Sequence, residues 1–202
     1  MDYRVKEKIN LIKDVYFQED YISLYLKKNE SISKFEYIEG VNVFYNIAVK
    51  KPINKIGNTA LKDDFFDLET AYGYGGQYCN TNDSGFIQRA HSKFELFCKE
   101  NNIIAEFSRI HPFNYTHTYI QDYYDLLILD RKTVSVNTEL STEKRWENYP
   151  SKLRTIIRKC KKELVFRKSD NLDDFIHLYE QTMQKIMLVT FIILISLILK
   201  HY

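Results

Sequence analysis

The chain has 202 residues, 45% of them hydrophobic and 28% charged, which is enough apolar material for a core and too much for a disordered chain. A net charge of +2 argues neither for nor against a polyanionic partner. Three cysteines, Cys79, Cys98 and Cys160, with no CxxC spacing, exclude a disulfide framework and a cysteine zinc site, and indicate reduced thiols in a cytosolic protein.

The opening Met-Asp-Tyr-Arg-Val-Lys has no apolar run, so no signal peptide is expected. Residues 14–28 read as a strand end at Val15 and Tyr16, followed by a short helix. Residues 35–38 and 41–49 read as two strands joined by Glu39-Gly40, where Gly supplies the positive φ of a tight hairpin. Lys51-Pro52 is expected to close the second strand, because Pro cannot donate to a ladder. Residues 64–69 are a third strand candidate and residues 71–78 a loop rich in Gly and Tyr. Asp83-Ser84 caps a helix from Gly85 to Glu100, with Phe86, Ile87, Ala90, Phe94, Phe97 and Cys98 on one face. Asn101-Asn102 stops it, and residues 103–110 follow as a strand ending at His111-Pro112. Residues 124–129 and 133–136 are further strands.

From about residue 140 the pattern turns helical. Ser141-Thr142-Glu143 starts one helix, with the Glu placed against the N-terminal dipole, and Pro150-Ser151 starts another. The second carries an apolar stripe of Leu153, Ile156, Ile157, Cys160 and Leu164. A short strand at 165–168 leads to a helix capped by Asp170-Asn171 and containing Leu172, Phe175, Leu178, Tyr179 and Met183. Strands interleaved with helices indicate an α/β or α+β architecture, with a boundary at 137–140.

Three constellations can carry chemistry. Tyr72-Gly73-Tyr74-Gly75-Gly76 has three glycines in four residues, which let backbone N–H groups approach a ligand between flat tyrosine walls. It is neither a Walker loop nor a dinucleotide fingerprint, and a tight structural loop explains it equally well. In Glu106-Phe107-Ser108-Arg109-Ile110-His111-Pro112, strand alternation sets Phe107, Arg109 and His111 on one face and Glu106 and Ser108 on the other. Arg109 suits a carboxylate or phosphate, and His111 at a strand end suits a general base, although a lone His beside Pro is more often structural. The helix at 151–164 holds Lys152, Arg154, Arg158, Lys159, Lys161 and Lys162 outside its apolar stripe, a face for polyanionic phosphates or simply for solvent.

In this order the segments resemble a known family. The run from Phe65 to Gly76, FFDLETAYGYGG, is similar to the D-x-E-[TS]-P-Y-G-Y-G-G-P loop of FemAB-like acyltransferases, a group that includes BioF2-like acetyltransferase domains. Glu106 to Pro112 resembles its E-F-x-R-F-H-P strand; Arg131 to Trp146 with Leu153 to Lys162, and Asp173 to Met183, resemble the segments after it. Ala71 stands where the family loop has Pro, Gln77 where a second Pro follows the glycines, and Ile110 where the family has Phe. The resemblance implies a GNAT-like fold: residues 1–139 as the first half of a tandem-GNAT enzyme and residues 140–185 as the opening helices of an incomplete second half. It implies transfer of an acyl or aminoacyl group, from acyl-CoA or aminoacyl-tRNA and without a metal, to an amine of a sugar or peptidoglycan precursor of the cell envelope. By position, Tyr72, Gly73, Tyr74, Gly75, Gly76, Arg109 and His111 become acceptor-cleft residues, and the catalytic base is left open. Arg154, Arg158, Lys159 and Lys162 become the contacts to donor phosphates, tRNA included. DNA is not expected as a partner, and the expected location is the cytoplasm or the inner face of the membrane.

At residue 186 the composition changes abruptly, since residues 186–199 contain no charge. Three readings compete: as a membrane anchor, a helix of that length spans about 21 Å, short of the roughly 30 Å hydrocarbon core; as a buried core segment, it needs partners the rest of the sequence does not offer; the third is a shift of reading frame. An AT-rich coding for residues 185–194, read one base earlier, gives Lys-Asn-Asn-Ala-Ser-Asp-Phe-Tyr-Tyr-Phe, similar to the family's continuation. The tail of residues 186–202 is therefore expected to be a frameshift product on a truncated, weak or inactive transferase. The alternative is a membrane-tethered binding module anchored by residues 186–199, with the basic helix near anionic headgroups.

Overall fold

The computed structural model describes residues 11–114, 117–165, 168 and 171–185. The chain divides into two units, Met1–Arg131 and Lys132–Tyr202, with the division a few residues ahead of the expected boundary. The tail at 186–202, residues 166 and 167 of the proposed strand at 165–168, and Asp170 lie outside the described residues.

The first unit is a mixed α/β layer structure. Strands β1 (Ser31–Glu39), β2 (Asn42–Ile56) and β3 (Thr59–Glu69) form an antiparallel meander. Helix α2 (Ser84–Glu100) then crosses over, and β5 (Ile103–Phe107) lies parallel to β3, giving the order β1-β2-β3-β5. The two-residue β4 (Tyr78–Cys79) pairs with β2 at Phe44 and Tyr45. Gly40 and Gly57 turn the two hairpins at φ +59, where a Cβ is disfavoured.

The middle of β2 explains the layering. Phe44 to Val49 are all buried, so both faces of this strand are covered and its sequence is continuously apolar apart from Asn46. On one face Phe44, Ala48 and Leu68 meet Phe86, Ile87, Ala90 and Phe94 of α2. On the other, Tyr45, Ile47 and Val49 meet Phe17 and Ile22 from two short N-terminal elements, a 3-10 turn at Val15–Phe17 and helix α1 (Glu19–Ser23). Helix α2 starts as expected: the Asp83 carboxylate accepts from Phe86 N at 3.0 Å. It ends at Asn101, and Asn102 takes φ +54.

Several expectations are corrected. Val15 and Tyr16 form a 3-10 turn instead of a strand end, because the Asp14 side chain caps them by accepting from Tyr16 N at 3.1 Å. Pro52 does not end β2, which continues to Ile56 opposite β3. Pairing with β1 stops at Lys50, so at Pro52 that flank of β2 needs no donor. The strand after α2 stops at Phe107, beyond which only Ile110 forms a bridge, to Gly75. Residues 124–129 and 133–136 form no strand: Leu126, Ile128, Leu129 and Val134 are 70–94% exposed. Their apolar character satisfies one requirement of a strand, but a ladder also needs a neighbour, and none of the described strands pairs with them.

The second unit holds α4 (Thr142–Asn148), α5 (Ser151–Glu163) and α6 (Leu172–Lys185), reached after a four-residue α3 (His117–Ile120) in the first unit. Ser141 caps α4 through its hydroxyl, and the Glu143 carboxyl is held below its usual value first by a backbone hydrogen bond at the helix start and then by the Ser141 side chain. None of the described residues of α4, α5 or α6 is fully buried.

His91 of α2 is buried in the first core, stacked on Tyr123 at 3.9 Å, with Nε2 unpartnered among the described residues. Burial lowers its pKa from 6.5 to about 4, so the folded state keeps it neutral while the unfolded chain takes up the proton. Its contribution to stability is therefore complete above about pH 6.5 and is lost as the pH falls towards about 4. Urea midpoints measured from pH 7 to pH 4 are expected to fall, and His91→Phe is expected to flatten that slope.

Candidate functional site

The two motifs of the first unit come together at the ends of β3 and β5. Glu69 lies opposite Phe107 in the parallel register. Beyond it, Thr70 N donates to Phe107 O at 3.1 Å, Arg109 N to Thr70 Oγ1 at 3.2 Å, and Gly75 N to Arg109 O at 2.8 Å. The glycine loop is thus sewn to the segment that follows β5.

This sewing explains the glycines. Gly73 has φ +100, and a Cβ there would lie 2.3 Å from Tyr16 Cε1. Gly76 has φ +85 and faces Ser108, and a Cβ on Gly75 would lie 2.9 Å from Thr70 Cγ2. The close approach expected of the loop is made to the protein's own side chains, and the N–H of Gly75 is already used. Tyr16 fills the concavity, edge-on to Tyr74 at 5.5 Å and to Tyr21 at 5.4 Å. Burial, then the Asp14 carboxylate, raises the Tyr16 phenol above its usual value.

His111 closes the same cluster. Its ring lies 5.9 Å from that of Tyr16 and 5.5 Å from that of Tyr74, and the residue is buried. Nδ1 accepts from Phe113 N at 3.1 Å, so in the neutral ring the proton sits on Nε2, which faces Asp14 Oδ2 at 3.7 Å. Burial lowers the His111 pKa, and Asp14 partly opposes the shift. Both nitrogens face the protein, so the imidazole offers no free lone pair to a ligand and fits a positioning role. Arg109, two residues earlier, is exposed. The expectation that Phe107, Arg109 and His111 share a face is corrected: the strand has ended, and Arg109 and His111 occupy opposite environments.

A second cluster lies under α2 and was invisible as a unit in the sequence. Glu106 Oε1 accepts from Asn46 Nδ2 and from Ser108 Oγ, each at 2.8 Å, and Oε2 accepts from Gln77 Nε2 at 2.9 Å. Asn114 Nδ2 donates to Gln77 O at 2.8 Å. Gln77 Oε1 and the Tyr124 hydroxyl are buried and find no partner among the described residues. Burial, then Glu106, raises the Tyr124 phenol. The only sequence signal for this cluster was Asn46, a polar residue inside an otherwise apolar strand.

Tyr72 points elsewhere. It stacks on Tyr25 at 6.1 Å and lines a cleft beside the Lys51–Glu69 ion pair. Among the described residues no cluster of His, Cys, Asp or Glu could hold a metal, and no helix is long and apolar enough to cross a membrane. None of the three cysteines forms a disulfide, and burial pushes the Cys98 thiol up to about 11, away from nucleophilic use.

In the second unit Arg154, Arg158 and Lys162 follow the i, i+4, i+8 line of α5, and Lys159 lies on its flank, 4.0 Å from Glu163. Arg158 sits 5.3 Å from the centre of the Trp146 ring of α4, with Lys161 at 5.9 Å. Two cations of the basic helix α5 therefore lie against an aromatic ring supplied by α4.

Two substitutions test these clusters by urea unfolding. Gly73→Ala is expected to cost about 2–3 kcal/mol, from positive φ and overlap with Tyr16. Glu106→Ala is expected to cost about 2–4 kcal/mol, because it strands the amide donors of Asn46 and Gln77 in the interior.

Comparison with models of known protein families, with curated proteins and with solved structures finds no match to this chain.

Proposed function

We propose that the chain is an acyltransferase of the FemAB/GNAT type, its first unit corresponding to the acceptor-side half of a tandem-GNAT enzyme and its second to the opening helices of the other half. The observation that supports this reading is the joining of two motifs more than thirty residues apart: the Asp67–Gly76 loop and the Glu106–Pro112 segment meet through Gly75, Arg109 and Thr70. Both carry the sequence resemblance, and they adjoin at the ends of the paired strands β3 and β5.

The chemistry asked of such a site is modest. A neutral amine attacks the carbonyl carbon of a thioester or ester, a C–N bond forms, the C–S or C–O bond breaks, and the amine loses a proton. Holding the two reactants in line supplies much of the acceleration. In this reading Arg109, exposed at the end of β5, pairs with an anionic group of the acceptor or donor. His111 does not remove the amine proton; with Asp14 and Tyr16 it fixes the loop from which Tyr72 and Tyr74 project. Arg154, Arg158, Lys159 and Lys162 take donor phosphates, from CoA or from the tRNA strand. The acceptor is an amine on a sugar or peptide precursor of the cell envelope, and the reaction needs no metal.

The test is transfer itself. Acetyl-CoA and an aminoacyl-tRNA are offered as donors, with glucosamine and a lysine peptide as acceptors, and products are read by mass spectrometry. Weak or no transfer is expected of this truncated chain; any amine-dependent transfer is expected to fall about tenfold or more in Arg109→Ala, a loss of roughly 1.4 kcal/mol of transition-state binding, with the melting temperature unchanged because the side chain is exposed. Because the chain is expected to be weak or inactive, binding of both donors is read beside transfer by isothermal titration, and absence of transfer together with absence of binding to either donor sinks the proposal.

A further inference from the structure

We infer that helix α5 docks flat on an anionic lipid bilayer, with its aliphatic stripe among the acyl chains and its flanking cations at the level of the lipid phosphates. Along Ser151–Glu163 six side chains are cationic, and Glu163 alone is acidic. The pair of Lys159 with Glu163, at 4.0 Å and exposed, offsets little of that excess. A helix face that only meets solvent mixes both signs of charge, whereas this one presents a single sign.

The placement of the charges says as much as their number. At about 100° per residue, Leu153, Ile156, Ile157, Cys160 and Leu164 fall within a stripe about 100° wide. Lys152 and Lys159 run along one edge of the stripe, Arg154 and Lys161 along the other, and Arg158 and Lys162 lie on the far side. The stripe is only half covered: no residue of α5 is buried, and Leu153, Ile156 and Leu164 are 39%, 49% and 56% exposed. Cations on both edges of an apolar stripe suit an interface in which the stripe enters hydrocarbon and long basic side chains reach up to phosphates.

Trp146 of α4 stands beside the edge that holds Lys161, its ring centre 5.9 Å from Lys161 Nζ and 5.3 Å from the Arg158 guanidinium carbon. Headgroup depth accommodates both the apolar body of an indole and its N–H. A nucleic acid uses the cations but leaves Leu153, Ile156 and Leu164 uncovered. Helix α6 supplies the contrast within the same unit. Its Leu172, Phe175 and Leu178 are exposed too, but Asp173, Asp174 and Glu180 oppose only Lys185, so an anionic surface repels it. Charge and apolar exposure together single out α5.

The docking does not rest on the transferase reading, and Arg158 and Lys162 lie on the side away from the bilayer, within reach of donor phosphates. The full chain is mixed with vesicles of phosphatidylcholine alone and of phosphatidylcholine with phosphatidylglycerol. Binding is read by co-sedimentation and by the emission of Trp146, the one tryptophan in the chain. Affinity for the anionic vesicles is expected to exceed that for the neutral ones about tenfold or more and to fall as salt rises. Trp146 emission is expected to shift to the blue and to be quenched by lipids brominated near the headgroup. That readout separates docking by α5 from attachment by the uncharged residues 186–199, which is indifferent to lipid charge. Lys152→Gln with Lys161→Gln, one exposed lysine from each edge, is expected to lower affinity about fivefold or more with the melting temperature unchanged. Ile156→Asp is expected to lower it about tenfold or more and Ile156→Leu to keep it; if Ile156→Asp fails to fold, the lysine pair decides. No binding, equal binding to neutral vesicles, unshifted Trp146 emission, or undiminished affinity of the lysine variant overturns the inference. Single-stranded RNA bound in preference to anionic vesicles, and bound as well by Ile156→Asp, marks a nucleic-acid face and overturns it too. Docking without donor binding or transfer sinks only the transferase reading; donor binding without docking sinks only this one.

Discussion

A carboxylate drawn into the edge of a core has to be answered by donors, and here the answer organises the first unit. Glu106 gathers Asn46 from the central strand, Gln77 from the end of the glycine loop, and Ser108 from just beyond its own strand. These residues come from separate parts of the chain, so a charge that burial penalises becomes a fixed point for loops that the ladder does not hold. Gln77 then fixes Asn114 through its carbonyl, which places the segment after His111. The glycine loop and the post-strand segment are held from within by this network and from without by Tyr16.

Tyr16 supplies the outer hold. It comes from a short N-terminal turn with little regular structure, yet it occupies the space that Gly73 leaves open and touches both Tyr74 and His111. Asp14 links the same turn to His111 and caps the turn at Tyr16 N. The cleft beside Tyr72 inherits its geometry from this arrangement through the chain of tyrosines Tyr16, Tyr21 and Tyr25.

What was legible in the sequence was local. Glu39-Gly40, Asp83-Ser84 and Asn101-Asn102 carry turn and cap chemistry within a few residues, and each appears where it was expected. Pro52 misled because its effect depends on whether a strand lies on its donor side, which is a property of the sheet and not of the dipeptide. Residues 124–129 misled for the converse reason, since their apolar run supplied strand composition without a pairing partner. In the site, Gly73 and Gly76 were visible as residues needing freedom, but the object they make room for, Tyr16 or Ser108, was not. His111 looked available because the sequence does not show Phe113 N and Asp14 on its two nitrogens. The Glu106 cluster needed long-range contacts to exist at all.

The sheet has two unequal borders. Strand β1 alternates charged Lys34 and Glu36 with buried Ser33 and half-buried Phe35 and Tyr37, the pattern that discourages a stranger from adding to an edge. Strand β5 pairs only with β3 among the described residues, and its exposed side chains include Ile104 and Phe107, 54% and 59% exposed, with no lysine among its five residues. Were a second extended chain to add to this sheet, the β5 border, unpaired on its outer side among the described residues and flanked by apolar side chains, would be the side that receives it, and a lysine installed at Ile104 would make the two borders more alike.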